Sequence, residues 1–122
     1  MQLNLKSETY GNGDQSWLGS KHGTDAARTV TIDISKLGEF PQFVPSGIPL
    51  KEGAGGLYEP VTAAEDALAG FLLTDQSTNG GGNIVAAMLD HGRVRAGRLP
   101  AAAFDITTLT TPNPAFVIVK EA

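Results

Sequence analysis

The clearest pattern of hydrophobic and polar positions lies between Arg28 and Leu37, where the sequence reads RTVTIDISKL. Val30, Ile32 and Ile34 alternate there with polar residues. A period of two places successive side chains on opposite faces of an extended chain. The pattern therefore predicts a β-strand with one buried face.

The segment that follows is interrupted by prolines and glycines. Pro41, Pro45 and Pro49 separate short apolar runs, and a GAGG sequence occupies residues 53–56. Because proline cannot donate a hydrogen bond to a sheet, these residues predict short or edge strands joined by tight turns. Apolar runs predict further strands at 71–73, at 84–100 with a break near residues 91 and 92, and at 116–120.

One short helix is predicted after this segment. Thr62 and Glu65 have the spacing of a capping box, in which each side chain satisfies a backbone N–H of the other residue. Good helix formers follow up to Ala69, and Gly70 can end a helix. The helix has two turns at most, so the predicted class is mostly β: a compact, small barrel-like domain of short strands with one or two short helices.

Residues 1–27 differ from the rest of the chain. They are polar and rich in glycine, with few apolar side chains to offset an ordering cost of about 1–2 kcal/mol per residue. The sequence thus predicts an extended arm at 1–27 and a β-rich domain at 28–122. Trp17, the only tryptophan, lies in the arm and either covers a gap in the core or anchors the arm in a partner's pocket. The lack of a core within the arm favours the anchor.

Composition excludes several classes of protein. The 122 residues include 9 basic and 13 acidic side chains, a net charge of −4, which argues against a nucleic-acid partner. There is no cysteine, so disulfides, thiolate chemistry and cysteine-bound zinc are excluded. No apolar run approaches the ~20 residues that span a bilayer, and the N-terminus lacks the pattern of a secretory signal. We expect a soluble protein that is made in a cytoplasm.

Catalytic and metal-binding chemistry finds little support. His22 and His91 are far apart and neither has the spacing of a metal ligand, so no metal and no cofactor are predicted. Ser46 lacks a nucleophile elbow, and the glycines at 80–82 lack the lysine of a phosphate loop. A hydrolase that uses His91 and Asp90 stays an alternative without a visible third group. We therefore predict no catalytic residue.

Arg93, Arg95 and Arg98 form the one local cluster of basic residues. On a strand, Arg93 and Arg95 share a face and Val94 points to the other. This arrangement is typical of a solvent-facing surface, and a role in contacting a partner is the alternative.

From Val44 onward, the order of the short motifs VPSGIPL, GLYEPV, ALAGFLL and VAAMLDHGRVRAGRLP resembles the head decoration proteins of tailed bacteriophages, the lambda-type capsid-stabilising family. The N-terminal DQSWLGSKHGTD is similar to the variant found in actinobacterial phages. The resemblance covers roughly half of the chain. The positions that carry the family motifs, with structural roles, are Ser46, Gly47, Pro49, Tyr58, Pro60, Gly70, Gly92, Leu99 and Pro100.

The resemblance implies a β-barrel-like or β-tulip domain that forms homotrimers and carries out no catalysis. The trimers would bind the major capsid protein on the outer surface of an expanded head, at threefold and quasi-threefold sites, after assembly in the host cytoplasm. They would stabilise the virion against internal DNA pressure, with no nucleic-acid or membrane partner and no cofactor. An arm that orders on the capsid would make its contacts through Trp17, Leu18, Val30, Ile32 and Ile34. The alternative is a small β-fold binding module of a phage tail or another accessory structural protein.

Overall fold

The computed structural model describes residues 14–20 and 24–120. Within them, nine short strands are joined by loops and by 3₁₀ turns of three residues each. The strands are β1 (Arg28–Ile32), β2 (Phe43–Val44), β3 (Pro49–Glu52), β4 (Tyr58–Pro60), β5 (Gly70–Leu72), β6 (Gln76–Ser77), β7 (Ile84–Leu89), β8 (Gly92–Arg95) and β9 (Phe116–Val119). The 3₁₀ turns are Thr24–Ala26, Ile34–Lys36, Ala54–Gly56, Ala96–Arg98 and Ile106–Thr108.

Five of these strands close into a barrel in the order β1-β4-β3-β5-β7. The barrel closes where β1 pairs antiparallel with β7, from Arg28 opposite Met88 to Ile32 opposite Ile84. On its other edge β1 pairs in parallel with β4. Two small sheets complete the fold: β2 pairs with β6, and β8 pairs in parallel with β9.

The apolar side chains form two clusters. One fills the barrel, where the inward-facing Val30 and Ile32 of β1 meet residues such as Leu50, Leu72 and Met88. The other contains Trp17, Val61, Leu68, Phe71, Leu89, Val94, Ile106, Leu109 and Phe116. Since Phe71 and Leu89 lie on barrel strands, the second cluster joins the barrel to the β8–β9 sheet and to the N-terminal residues 14–20.

The structure confirms the mostly β class and the strand that begins at Arg28. The strand is shorter than the alternation predicts, because Asp33 ends it. The Asp33 carboxylate accepts hydrogen bonds from the backbone N–H and the hydroxyl of Ser35, at 2.9 and 2.7 Å, and so starts a 3₁₀ turn. Ile34 therefore lies in that turn, half-buried against the barrel cluster.

The predicted helix after Thr62 is wrong, since the described chain has only a turn there. Asp66, and not Glu65, accepts the orphan hydrogen bonds: its Oδ2 receives the backbone N–H groups of Thr62 and Ala63, each at 3.0 Å. Glu65 is exposed. Gly70 does not end a helix but begins β5, in close contact with the backbone oxygen of Leu89.

The predicted arm at 1–27 is described only in part. Residues 1–13 and 21–23 lie outside the described residues, whereas residues 14–20 pack on the domain. Trp17, for which the sequence favoured a partner anchor over a role in the core, is fully buried and packs with apolar residues of the domain. A described stretch of the N-terminal segment thus belongs to the fold of residues 28–122.

Candidate functional site

Trp17 occupies a pocket built by residues from distant parts of the chain. Its indole lies 5.6 Å from the Phe71 ring, and Phe71 in turn meets Phe116 edge-on at 5.0 Å. Gly47 lies against the indole and against Pro100: a Cβ at Gly47 would come within 2.9 Å of Trp17 and 2.8 Å of Pro100. Gly47 also has a φ of +97°, so a side chain is excluded there by backbone conformation as well as by space.

Ser46 connects the indole to the backbone at the end of β5. Its hydroxyl accepts a hydrogen bond from Trp17 Nε1 at 3.0 Å and donates one to the Leu73 carbonyl at 2.7 Å. The backbone N–H of Ser46 donates to Asp75 Oδ1 at 2.7 Å. The Leu73 carbonyl also accepts from Gln15 Nε2 at 2.6 Å. The polar side-chain atoms that Trp17 and Ser46 bury are therefore paired, as a stable buried polar site requires.

The chain around Trp17 also adds to the edge of β8. Leu18 forms an antiparallel bridge with Val94. The Trp17 carbonyl accepts from the Arg95 N–H at 2.7 Å, and the Gly19 N–H donates to the Arg93 carbonyl at 2.8 Å. Residues 17–19, β8 and β9 thus form a small three-stranded unit. We call the Trp17 pocket, with Gln15, Ser46, Gly47, Phe71 and Pro100, the Trp17 clamp.

The structure places the five residues expected to contact a partner within or against this chain's own apolar clusters. Trp17, Val30 and Ile32 are buried within this chain, at 0, 5 and 0% exposure, so in this conformation none of them reaches a partner. Leu18 and Ile34 are half-buried and pack against the second and first apolar clusters, respectively. The sequence alternation on β1 was a signal of the barrel interior rather than of an exposed binding strand.

The residues at the family-motif positions lie in the clamp or in and beside the strands. Ser46, Gly47 and Pro100 meet at the clamp, and Leu99 shares a surface pocket of about 240 Å³ with Ser46 and Pro100. In the barrel, Leu50 of β3 pairs with both Pro60 and Gly70. The remaining motif residues are also in or beside strands: Pro49 pairs with Phe71, Tyr58 with Ile32 and Glu52, and Gly92 begins β8 with a φ of +136°.

The same surface pocket lies where the described chain begins. Asp14 lines it together with Phe43, Pro45 and Arg98. Phe43 is 47% exposed, one of the most exposed large apolar side chains among the described residues. Hydrogen bonds from the backbone and side chain of Ser16 lower the pKa of Asp14 from its usual value. An ionised carboxylate and an exposed phenyl ring therefore lie together at residue 14, the first that the structure describes.

Sequence reasoning missed the polar residues that fix the turns. Asp75 and Gln15 support the clamp, but neither lies in a motif that would single it out. Lys51 was also missed: its ammonium lies 2.9 Å from Asp66 and 3.6 Å from Glu59, across the barrel strands β3 and β4. The hydrogen bond to Asp66 raises the pKa of Lys51, and the backbone N–H of Thr62 is the main cause of a lowered pKa at Asp66.

His91, the histidine of the hydrolase alternative, contacts the neighbouring Asp90 on the surface. His91 Nδ1 lies 2.8 Å from Asp90 Oδ1, and both side chains are more than a third exposed. A pocket of about 270 Å³ beside His91 is lined by Ser20, Arg93 and Val117, among others. Within residues 14–20 and 24–120, no group of three or more histidine, aspartate or glutamate side chains could hold a metal ion. No helix in the same part of the chain is long and apolar enough to span a membrane.

Comparison with known proteins finds no relative. No family model matches the chain, and neither a curated protein nor a solved structure does.

Proposed function

We propose that this chain is a non-catalytic structural protein that decorates the heads of tailed bacteriophages. In this proposal, homotrimers bind the major capsid protein on the outer surface of an expanded head, at threefold and quasi-threefold sites. Their function is to stabilise the head against internal DNA pressure. The proposal is supported by the order of the motifs from Val44 to Pro100, which resembles that of the decoration proteins.

The Trp17 clamp is the observation that carries the proposal. Ser46, Gly47 and Pro100 belong to separate motifs of the resemblance, and they meet around one indole. The tryptophan comes from the DQSWLG sequence, which resembles the actinobacterial variant. Residues from the two halves of the resemblance, N-terminal and central, are thus in direct contact.

The clamp also redefines the proposed arm. Gln15 and Trp17 tie the chain to the domain, so the part left to contact a capsid is residues 1–13. Thirteen residues span at most ~45 Å when fully extended, enough to reach beyond the domain. A backbone hydrogen bond contributes about 0.5–1.5 kcal/mol, against an ordering cost of about 1–2 kcal/mol per residue. One arm alone would bind weakly, and three arms on a trimer would gain about 10²–10⁴-fold in avidity.

The test is binding to expanded heads of the virus that encodes the chain, stripped of the protein beforehand. Three proteins are compared by sedimentation with the heads: the full chain, a chain lacking residues 1–13, and a chain with residues 1–13 in scrambled order. We expect the full chain to saturate the heads at a copy number that matches the threefold sites. The truncated chain keeps Trp17 and should stay folded, but bind at least tenfold more weakly.

Each outcome decides a separate part of the proposal. Equal saturation by the truncated chain would remove the arm from the mechanism but leave decoration intact. A full chain that stays monomeric and binds no head would refute the proposed function. A copy number of only a few per particle would instead support the accessory tail module.

A further inference from the structure

The strand β9 has an open edge. In the described residues 14–20 and 24–120, β8 is paired on both sides, with β9 and with Leu18, whereas β9 is paired with β8 alone. An open edge presents backbone N–H and C=O groups that another extended chain can pair with. The accessible edge of the three-stranded unit is therefore that of β9.

The hydrogen-bond pattern shows which backbone groups face outward. The Gly92 N–H donates to the Ala115 carbonyl, and Gly92 is in register with Phe116. In a parallel pair with this pattern, the backbone groups of residues 117 and 119 face β8, and those of 116 and 118 face away. The Phe116 N–H donates to the Asn113 carbonyl at 3.2 Å, within the same chain segment, and so is not available at the edge. The N–H and C=O of Ile118 are thus directed at the open edge.

Charged and apolar side chains border this edge on one face of the sheet. Arg93 and Arg95 are exposed on β8 and lie in register with Val117 and Val119 of β9. The aliphatic stem of Arg93 lies over Gly19, and Val117 is 58% exposed. No carboxylate of the described residues forms an ion pair with either arginine. We call this set, Arg93, Arg95, Val117 and the backbone of Ile118, the β9 edge surface.

We propose that the β9 edge surface binds an extended, acidic strand of a partner protein. The open backbone of Ile118 selects a strand, since main-chain hydrogen bonds provide the pairing. The two guanidinium groups select carboxylates, and Val117 selects a small apolar side chain beside them. A strand added to β9 would lie about 9.6 Å from β8, two strand spacings, a distance that an arginine and a glutamate can bridge together. The proposal does not depend on the partner being a capsid.

Charge argues against a second copy of β9 as the occupant. Pairing of two β9 edges would bring Arg93 and Arg95 of both copies, together with the exposed Lys120, to one small sheet. A second β9 supplies no carboxylate, since residues 116–119 are apolar and residue 120 is a lysine, so neither guanidinium would gain an ionic partner. An acidic strand turns the same charges into favourable contacts.

The test uses a soluble peptide of seven residues in which glutamate and valine alternate, with both ends blocked. Its binding to the full chain is followed by ¹H–¹⁵N chemical shifts and amide exchange. We expect shifts centred on residues 116–120, slower exchange of the Ile118 amide, and weaker binding as salt rises. The corresponding lysine–valine peptide should not bind. The double variant Arg93→Glu/Arg95→Glu should bind the acidic peptide at least tenfold more weakly.

Two control variants keep the result interpretable. Arg28→Glu/Lys36→Glu makes the same change in net charge on the barrel side of the molecule, and should bind the acidic peptide as the unmodified chain does. Arg93→Gln/Arg95→Gln removes the charges without adding repulsion, and should give an intermediate affinity. Thermal unfolding checks that each variant is folded.

The proposal is overturned by any of four results. The acidic peptide produces no shifts at β9 at millimolar concentration, or it binds with the Ile118 amide still exchanging freely. Alternatively, both arginine variants bind the peptide as tightly as the unmodified chain. Self-association of the chain through β9, seen as concentration-dependent shifts at residues 116–120 without peptide, would also count against it.

Discussion

The substitution Ser46→Ala tests whether the Trp17 clamp holds the N-terminal segment on the domain. It removes the hydroxyl that accepts from Trp17 Nε1 at 3.0 Å in a fully buried pocket. The Leu73 carbonyl loses one donor but keeps the Gln15 amide at 2.6 Å. The main cost is therefore one buried indole N–H without an acceptor, about 1–3 kcal/mol.

That cost is large relative to the stability of a domain of this size, which is typically about 5–15 kcal/mol. A loss of 2 kcal/mol would lower the melting temperature by roughly 5–10 °C. Urea unfolding followed by far-ultraviolet circular dichroism is the suitable assay. Tryptophan fluorescence is not, because Trp17 is the only tryptophan and the double-mutant cycle replaces it. The exposed Ser77→Ala on β6 is the matched control, with an expected change within about 0.5 kcal/mol.

A double-mutant cycle with Trp17→Phe isolates the hydrogen bond. Phenylalanine fills much of the pocket and has no N–H, so Ser46→Ala should cost less than about 1 kcal/mol in that background. If Ser46→Ala costs the same with tryptophan and with phenylalanine, the hydrogen bond does not hold the clamp. A cost within 0.5 kcal/mol in the unmodified chain would refute the reasoning altogether, since it would mean that the indole N–H is not buried.

Two further predictions concern the barrel. Asp66→Asn should destabilise the chain by about 1–2 kcal/mol at pH 7, because it removes the charge that Lys51 and two backbone N–H groups pair with. These contacts lower the pKa of Asp66 in the folded chain, so the stabilisation is complete above the ordinary value of 3.8 and is lost as the pH falls through the lowered value. The urea-unfolding difference between the two proteins should thus vanish on acidification; a constant difference down to pH 2 would contradict this. Gly70→Ala should destabilise by about 1–3 kcal/mol, measured by thermal unfolding, because its Cβ would collide with the Leu89 backbone oxygen. Gly80→Ala, with open space around it, is the control; an equal effect of the two would contradict the packing argument.

The sequence predicted those parts of the fold that local pattern decides. The alternation of Val30 and Ile32 with polar residues identified β1 and its buried face correctly. It did not identify what β1 pairs with, because Thr29 lies opposite Ala87, far along the chain. Barrel closure depends on such distant pairings, and nothing within a short window of sequence encodes them.

Two of the wrong predictions share a physical cause: a distant contact outweighs a local preference. The Thr62–Glu65 capping box is a valid local signal, yet Lys51 on β3 holds the Asp66 carboxylate in place. Asp66 then accepts the Thr62 N–H, which Glu65 would have accepted in a capping box. Trp17 gives the second case. Its own segment has no core, but a pocket 29 residues further along the chain has a hydroxyl for its N–H.

The Trp17 clamp and the β9 edge surface lie at opposite edges of one small sheet. Residues 17–19 pair with one edge of β8, and β9 pairs with the other. Residues 17–19 therefore cover the edge that would otherwise be open on β8, and in this sheet the described residues leave the edge of β9 for a partner. If residues 1–13 and the β9 edge surface bind the same partner, each contact raises the effective concentration of the other, so two weak contacts would give tight attachment. Ser46→Ala would weaken the attachment of Trp17 to the domain without changing a residue of either contact, because it removes the acceptor of the indole N–H.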